Sequence, residues 1–349
     1  MARAHTTAIL EKVRADIQAG KYSQAEFLPS ERSLADVYGT GRGVIRTVLR
    51  KLREENVIYL IPDKGAKISE VEKKTLDRIL IRLSSGVVSK SSEGMGILAG
   101  VCMSAAENHT EVVMTFADGN EAVNEIAARY ARGEVQGLVF LEGWDRKTMF
   151  SPLETAGVPY IIANQEQDDD ALCCRMDFRS IGRRAGRYLF EKGHRNIGVI
   201  AGDMERYIYT EMLAGLRGAL AEDEVFLEKE KILVETNEGI FPGMKKLLMS
   251  ADRPTAFFAM RDNRARKFYD ACRDLGIRVP EDISIISYDN ITWPEAEHVG
   301  LTTLEQPVEK IGHEALEILK EWIVSGVKPE SKKLYPTLIE RSSVKDICY

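Results

Sequence analysis

The sequence predicts a mostly helical head with a β-hairpin, followed by a two-lobed α/β body. Three observations carry this expectation. Residues 1–74 hold 14 Lys/Arg against 10 Asp/Glu, a net of +4, so the rest of the chain carries −10 of the total of −6. Helical periodicity and one hairpin account for the first seventy residues, whereas strands and helices alternate from residue 79 onward. That alternation then restarts near residue 177. A basic head on an acidic body fits a DNA reader joined to a part that does not touch DNA. At 349 residues the chain also exceeds what one ordinary core organises.

In the head, Ile9, Val13 and Ile17 repeat every four residues and give a first helix its apolar stripe, closed by Gly20. Ser30 is placed to cap a second helix carrying Leu34, Ala35 and Tyr38. Gly39 turns the chain, and Thr40 is expected to cap a third helix. Its inner face reads Ile45, Val48, Leu49 and Leu52, and its other face carries Arg42, Arg46, Arg50, Lys51 and Arg53. Val57–Ile61 and Ala66–Ile68 read as two strands, joined by the turn Pro62-Asp63-Lys64-Gly65. Three helices and a hairpin in this order describe a winged helix-turn-helix.

Leu28-Pro29-Ser30-Glu31-Arg32, then Leu34-Ala35, followed by Gly39 to Arg46, closely resembles the GntR family. The resemblance covers about residues 5–70 and sets a DNA-binding domain at 1–70. It implies that Arg32, Arg42 and Arg46 contact DNA, where guanidinium forks grip phosphates or guanine edges. Arg50 would meet phosphates further along the helix, and Lys64 and Gly65 would sit at the wing tip. The alternative for this arginine stripe is a solvated helix face. The chain departs from the family at Gly41, Gly43 and Val44, where hydroxyl residues are usual. Two glycines there also cost helix stability, roughly 1 kcal/mol each at an interior position.

Residues 69–77 are polar and mixed in charge, which sets an interdomain linker at about 71–78. Beyond it the expected strands are 79–83, 112–116, 137–141, 159–163, 196–202, 256–259 and 283–287. The expected helices are 95–108, 120–132, 147–156, 181–192, 210–222 and 265–275. Such alternation implies parallel sheets flanked by helices, with ligands at the carboxyl ends of the strands.

Within this body, Gly193-His194-Arg195-Asn196-Ile197, Arg253-Pro254-Thr255-Ala256 and Leu275 to Ser284 resemble the LacI/GalR regulator domain. Ser287-Tyr288-Asp289-Asn290, Leu301 to Pro307 and Glu340 to Ser343 extend the resemblance across about residues 79–345. That domain is itself similar to periplasmic sugar-binding proteins, and its fusion to a GntR head resembles the arabinose-responsive repressors. The resemblance implies lobe 1 at about 79–176 and 307–330, and lobe 2 at about 177–306 and 331–345. It further implies a homodimer on an operator, and a sugar effector held between the lobes.

Carried across residue by residue, Asp289 matches the family's sugar-binding aspartate. Asp177 and Asp262 fall on aspartates near the cleft, and Asn164 ends a strand that supplies a polar contact. Two positions break the family pattern: Met212 stands where an arginine is usual, and Arg261 precedes Asp262 where asparagine is usual. An acidic or phosphorylated sugar facing Arg261 would explain the exchange, because guanidinium matches carboxylate and phosphate. The alternative is that Arg261 pairs with Asp262 or points outward. Phe178 and Trp293 are the aromatic residues placed to stack on a sugar ring.

Other chemistry finds little support in the sequence. The five cysteines form no C-x-x-C pair, the five histidines are scattered, and Asp168-Asp169-Asp170 reads as an exposed acidic loop. No cofactor, metal or membrane span is expected, and the N-terminus lacks a signal-peptide core, which points to the cytoplasm. A transport binding protein, an enzyme, and a GntR regulator with an all-helical effector domain are the competing readings.

Overall fold

A computed structural model describes residues 2–18, 21–22, 27–55, 57–61, 65–68, 75–83, 92–116, 119–141, 150–164, 171–235, 239–291 and 300–348. The chain divides into two units, Met1–Thr75 and Leu76–Tyr349.

The first unit contains α1 (Ala2–Gln18), α2 (Glu31–Val37), α3 (Arg42–Glu54), β1 (Ile58–Ile61) and β2 (Gly65–Ile68). Ile9 and Val13 of α1, Leu34 and Ala35 of α2, and Ile45, Val48 and Leu52 of α3 bury against Ile58 and Ile68. The strands pair antiparallel, Ile58 with Ile68 and Ile61 with Gly65. Ser30 caps α2 as expected, its Oγ accepting from the Ser33 backbone N–H at 3.2 Å. Thr40 does not cap α3. Extended Gly41 takes that position without a side-chain bond, and the Thr40 hydroxyl instead lies 3.1 Å from His5 Nε2.

The second unit is a duplicated α/β design. One sheet is built from β3 (Arg78–Arg82), β4 (Glu111–Thr115), β5 (Leu138–Leu141), β6 (Tyr160–Ala163) and β7 (Cys173–Met176). The other uses β8 (Ile197–Ala201), β9 (Ile232–Val234), β10 (Ala256–Ala259), β11 (Ser284–Asp289) and β12 (Thr302–Glu305). Their orders correspond strand for strand, 7-6-5-3-4 and 12-11-10-8-9, and these strands are all parallel. Every residue of β5, β6 and β10 is buried, as expected where helices cover both faces.

The chain's tail adds one strand to each sheet. β13 (Lys332–Leu334) runs parallel to β7, and β14 (Thr337–Ile339) runs antiparallel to β12. The last return to lobe 2 therefore falls after Leu334 rather than at 330–331, because β13 completes the lobe 1 ladder first. Leu76 is buried in the core of the second unit and Arg78 opens β3, so 76–78 belong to the body rather than to the linker.

Each lobe is clasped by one close helix crossing. In lobe 1, α4 (Ser92–Glu107) crosses α11 (Val308–Ser325); in lobe 2, α7 (Phe178–Glu191) crosses α8 (Tyr207–Ala221). The others are α5 (Gly119–Ala131), α6 (Ser151–Thr155), α9 (Phe241–Leu248) and α10 (Asp262–Leu275). Both crossings depend on paired glycines. A Cβ on Gly100 would lie 1.8 Å from the Glu309 carbonyl oxygen, and one on Gly312 1.9 Å from that of Ile97. Gly182 and Gly215 stand in the same relation to Met212 and Arg179, at 1.8 and 1.9 Å. Only a residue without Cβ lets these backbones approach so closely. Gly182→Ala is therefore expected to lower unfolding free energy in urea by about 1–3 kcal/mol. Gly218→Ala on the same α8 meets nothing within 4 Å and is expected to raise it by up to ~1 kcal/mol. Equal midpoints for the two variants would contradict this packing argument.

Candidate functional site

On the first unit, α3 turns Arg42, Arg46, Arg50 and Arg53 outward while its apolar side faces the core. Arg32 on α2 is also exposed. Arg46 is the best-held of these: Nε and Nη2 donate to the two carboxylate oxygens of Glu31 at 3.1 and 2.9 Å. This fork lowers the Glu31 pKa and sets the direction in which Arg46 leaves α3. Among the described residues, Arg50 has a long pairing with Glu54 at 3.9 Å. Gly65 is exposed with φ +107, a conformation glycine adopts readily, at the start of β2. Lys64 lies outside the described residues.

On the second unit, parallel strands deliver their carboxyl ends to one edge of each sheet, so residues just past those ends meet. Asn164 follows β6, Arg261 follows β10, Asp289 closes β11, Gln306 follows β12, and Glu93 sits in the first turn of α4. They form one polar chain across the lobes. Asn164 Nδ2 donates to Glu93 Oε1. Arg261 Nη1 donates to Glu93 Oε2 at 3.3 Å and to both oxygens of Asp289 at 3.4 Å. Gln306 Nε2 donates to Asp289 Oδ1 at 2.9 Å. A cavity of ≈ 270 Å³ opens beside this chain, lined by Glu93 and Val308 of lobe 1 and by Asp289, Asn290 and Glu305 of lobe 2, with Gln306 at the crossover.

The backbone is strained here. Asn164, Asp289 and Asn290 have φ of +61, +125 and +58, conformations that cost non-glycine residues about 1–3 kcal/mol each and cluster at functional sites. Burial disfavours charge on Arg261, yet Asp289 and Glu93 hold its pKa above the ordinary value. Burial pushes Asp289 up to about 7; Arg261 opposes the rise, and Glu93 and Asp262 add to it.

The other expected effector residues separate into different roles. Asp289 and Asn164 enter the polar chain. Arg261 does too, but it is held by Glu93 and Asp289 rather than by Asp262, so its charge is already engaged by carboxylates. Asp262 is 1% exposed and accepts from Ser287 Oγ, from Thr303 Oγ1 at 2.9 Å and from the Ile291 N–H at 2.7 Å. It ties three segments together rather than facing the cavity. Asp177 caps α7 by accepting from the Ser180 N–H at 3.0 Å. Phe178 is buried, with the Tyr207 ring edge-on at 6.5 Å. Met212 is fully enclosed in the core, its carbonyl packed on Gly182. Trp293 lies outside the described residues, as do Asp168 to Asp170.

Sequence reasoning missed Glu93, Glu305 and Gln306. Gln306 lay within a quoted motif, so its place after a strand was a usable signal. Glu93 precedes the apolar periodicity of α4, and nothing local marks it.

Asp289 keeps its proton in the folded state at pH values where the unfolded chain has lost it. Its contribution to stability is therefore full below about pH 4 and is lost as pH rises through about 7. Asp289→Asn is expected to flatten the fall in unfolding free energy between about pH 4.5 and 7, measured by denaturant titration at each pH. Parallel curves for the two proteins would assign that fall to other groups.

Residues 5–68 match the family described as bacterial regulatory proteins, gntR family. Residues 187–344 match the periplasmic binding protein-like domain. The HTH-type transcriptional repressor PurR of Escherichia fergusonii is 39% identical over 169 residues, covering 47% of this chain and 49% of that protein. The chain spans about half the length of the curated relatives it matches. Among solved structures, a transcriptional regulator CelR–cellobiose complex is similar over 90% of this chain and 100% of that one, with TM-score 0.63 and 23% identity. The lac repressor dimer bound to operator and the anti-inducer ONPF is similar over 78% of this chain and 94% of that one, with TM-score 0.63 and 20% identity. At such identities these structures establish the fold. The chain joins a gntR-type winged helix-turn-helix to a periplasmic-binding-protein-like α/β domain.

Proposed function

We propose that this chain is a transcription regulator, acting as a repressor, that binds a double-stranded DNA operator through its winged head. A small sugar-class effector held between the lobes of the body controls that binding. The observation that carries the reading is the outward arginine face of α3, behind which the helix is fully committed to the core. A helix anchored on one side and cationic on the other can enter a groove without disturbing its fold. The body supports the second half of the reading. Polar groups from two lobes converge on one cavity, so a ligand there contacts both lobes at once and favours one arrangement of them over another. The matched relatives are named as repressors, and a lac repressor structure is described as an operator-bound dimer. We extend both features to this chain: a homodimer on a two-fold operator, working in the cytoplasm where the DNA is. No helix among the described residues is long and apolar enough to cross a membrane.

The test is fluorescence anisotropy with the full chain and DNA that it selects from a random-sequence pool. Affinity is expected to fall steeply with salt, because each neutralised phosphate releases counterions. Arg46→Ala is expected to weaken binding by about tenfold or more, within the roughly 1–3 kcal/mol of a bidentate contact, without lowering the melting temperature. Salt-independent binding, or an unaffected Arg46→Ala variant, would remove DNA recognition by α3 from the account.

A further inference from the structure

From the polar chain we infer that the interlobe cavity selects an effector that carries an amine on a hydroxyl-rich frame, and that it disfavours acidic sugars. This rests on reading the cleft as the effector site. The first argument is charge. Glu93, Asp289 and Glu305 line the cavity, and Arg261 is the cation that reaches two of them. Its Nη1 reaches them at 3.3 to 3.4 Å, longer than the ~2.7–2.9 Å of a well-formed charge-assisted bond. Among the described residues the lining carries three carboxylates and no cation. Arg82, Arg175 and Arg264 stand near the strand ends but do not line this cavity. Arg264 pairs with Glu235 at 2.9 Å, and Arg175 stands over the Tyr207 ring.

The two amides beside the cavity point the same way. Gln306 gives its N–H₂ to Asp289 and Asn164 gives its own to Glu93. In each pair the amide N–H₂ faces the carboxylate, which leaves the amide oxygen turned away from it. Their carbonyl oxygens, Gln306 Oε1 and Asn164 Oδ1, are buried and have no partner among the described residues. Both residues are 5% exposed, and Gln306 lines the cavity. A buried acceptor without a donor is costly, ~1–3 kcal/mol, and a ligand that supplies N–H or O–H groups relieves it. An anionic ligand supplies the opposite: more acceptors and more negative charge, next to Glu93 and Asp289. An ammonium supplies three donors, no acceptor and the missing positive charge. The raised Asp289 pKa agrees: burial pushes this carboxylate up, and Glu93 and Asp262 add to the rise against Arg261.

The experiment is calorimetry and thermal shift on the full chain at neutral pH with two matched sets. These are glucosamine, glucose and glucuronate, then galactosamine, galactose and galacturonate; putrescine and spermidine serve as amine probes without a ring. At least one of the two amino sugars is expected to bind tenfold or more tighter than its neutral counterpart, and the uronates are expected to be weakest. Glu93→Gln and Asp289→Asn are expected to shrink the amine-to-neutral ratio toward one, with folding checked by circular dichroism. A uronate or neutral sugar that binds as tightly as its amine counterpart overturns the inference. So does a chain that neither amino sugar moves, or that only the ringless amines move. The anisotropy assay on selected DNA keeps the two readings apart: normal DNA binding with no amine preference fails this inference alone, whereas loss of DNA recognition fails the regulator reading.

Discussion

Arg261 has to serve carboxylates from both halves of the body. Its Nη1 lies between Glu93 at the start of α4 and Asp289 at the end of β11, and those two residues in turn orient Asn164 and Gln306. Removing that guanidinium would leave two buried or half-buried carboxylates facing each other across the lobes. An unpaired buried charge costs several kcal/mol, far more than a surface pair contributes. The relative setting of the lobes at this point is therefore tied to one shared cation, and a ligand that competes for either carboxylate acts directly on that setting.

The backbone prepares this meeting. Parallel strands in two sheets of the same order send the residues after β6, β10, β11 and β12 toward one opening. Where the chain must turn there, it adopts positive φ at Asn164, Asp289 and Asn290. The surrounding structure holds the strain in place. Asp262, nearly inaccessible, anchors Ser287, Thr303 and the Ile291 amide, so the ends of β11 and β12 cannot drift apart. Further back, the glycine crossings of α4 with α11 and of α7 with α8 keep each lobe's helices against its sheet. The polar residues at the opening thus sit on a frame whose geometry is fixed by close backbone contact.

In the head the same division of labour occurs on a smaller scale. The apolar stripe of α3 fixes the helix to α1, α2 and the hairpin, so its exposed arginines take no part in the core, and one of them, Arg46, is aimed by α2. There Glu31 holds the guanidinium through a two-pronged bond. Since Glu31 is the first residue of α2, whose own start is set by the Ser30 cap, the capping choice also determines where Arg46 is aimed.

Most of the fold was legible in the sequence, because periodicity and capping are local. The winged unit followed from the spacing of Ile9, Val13, Leu34, Ile45, Val48 and Leu52, and the duplicated α/β order from alternating apolar runs. The site was legible in part. Asp289, Asn164 and Arg261 stand at strand ends and could be found from motif and register. What those residues touch was not local information. Met212 belongs to the core and Asp262 and Asp177 to internal ties, because helix packing and buried hydroxyls claimed them. Glu93 enters the site from 168 residues away in sequence, carried there by the packing of α4. An arginine in a motif announces a positive charge, and whether that charge is available to a ligand depends on which carboxylates the tertiary structure brings beside it.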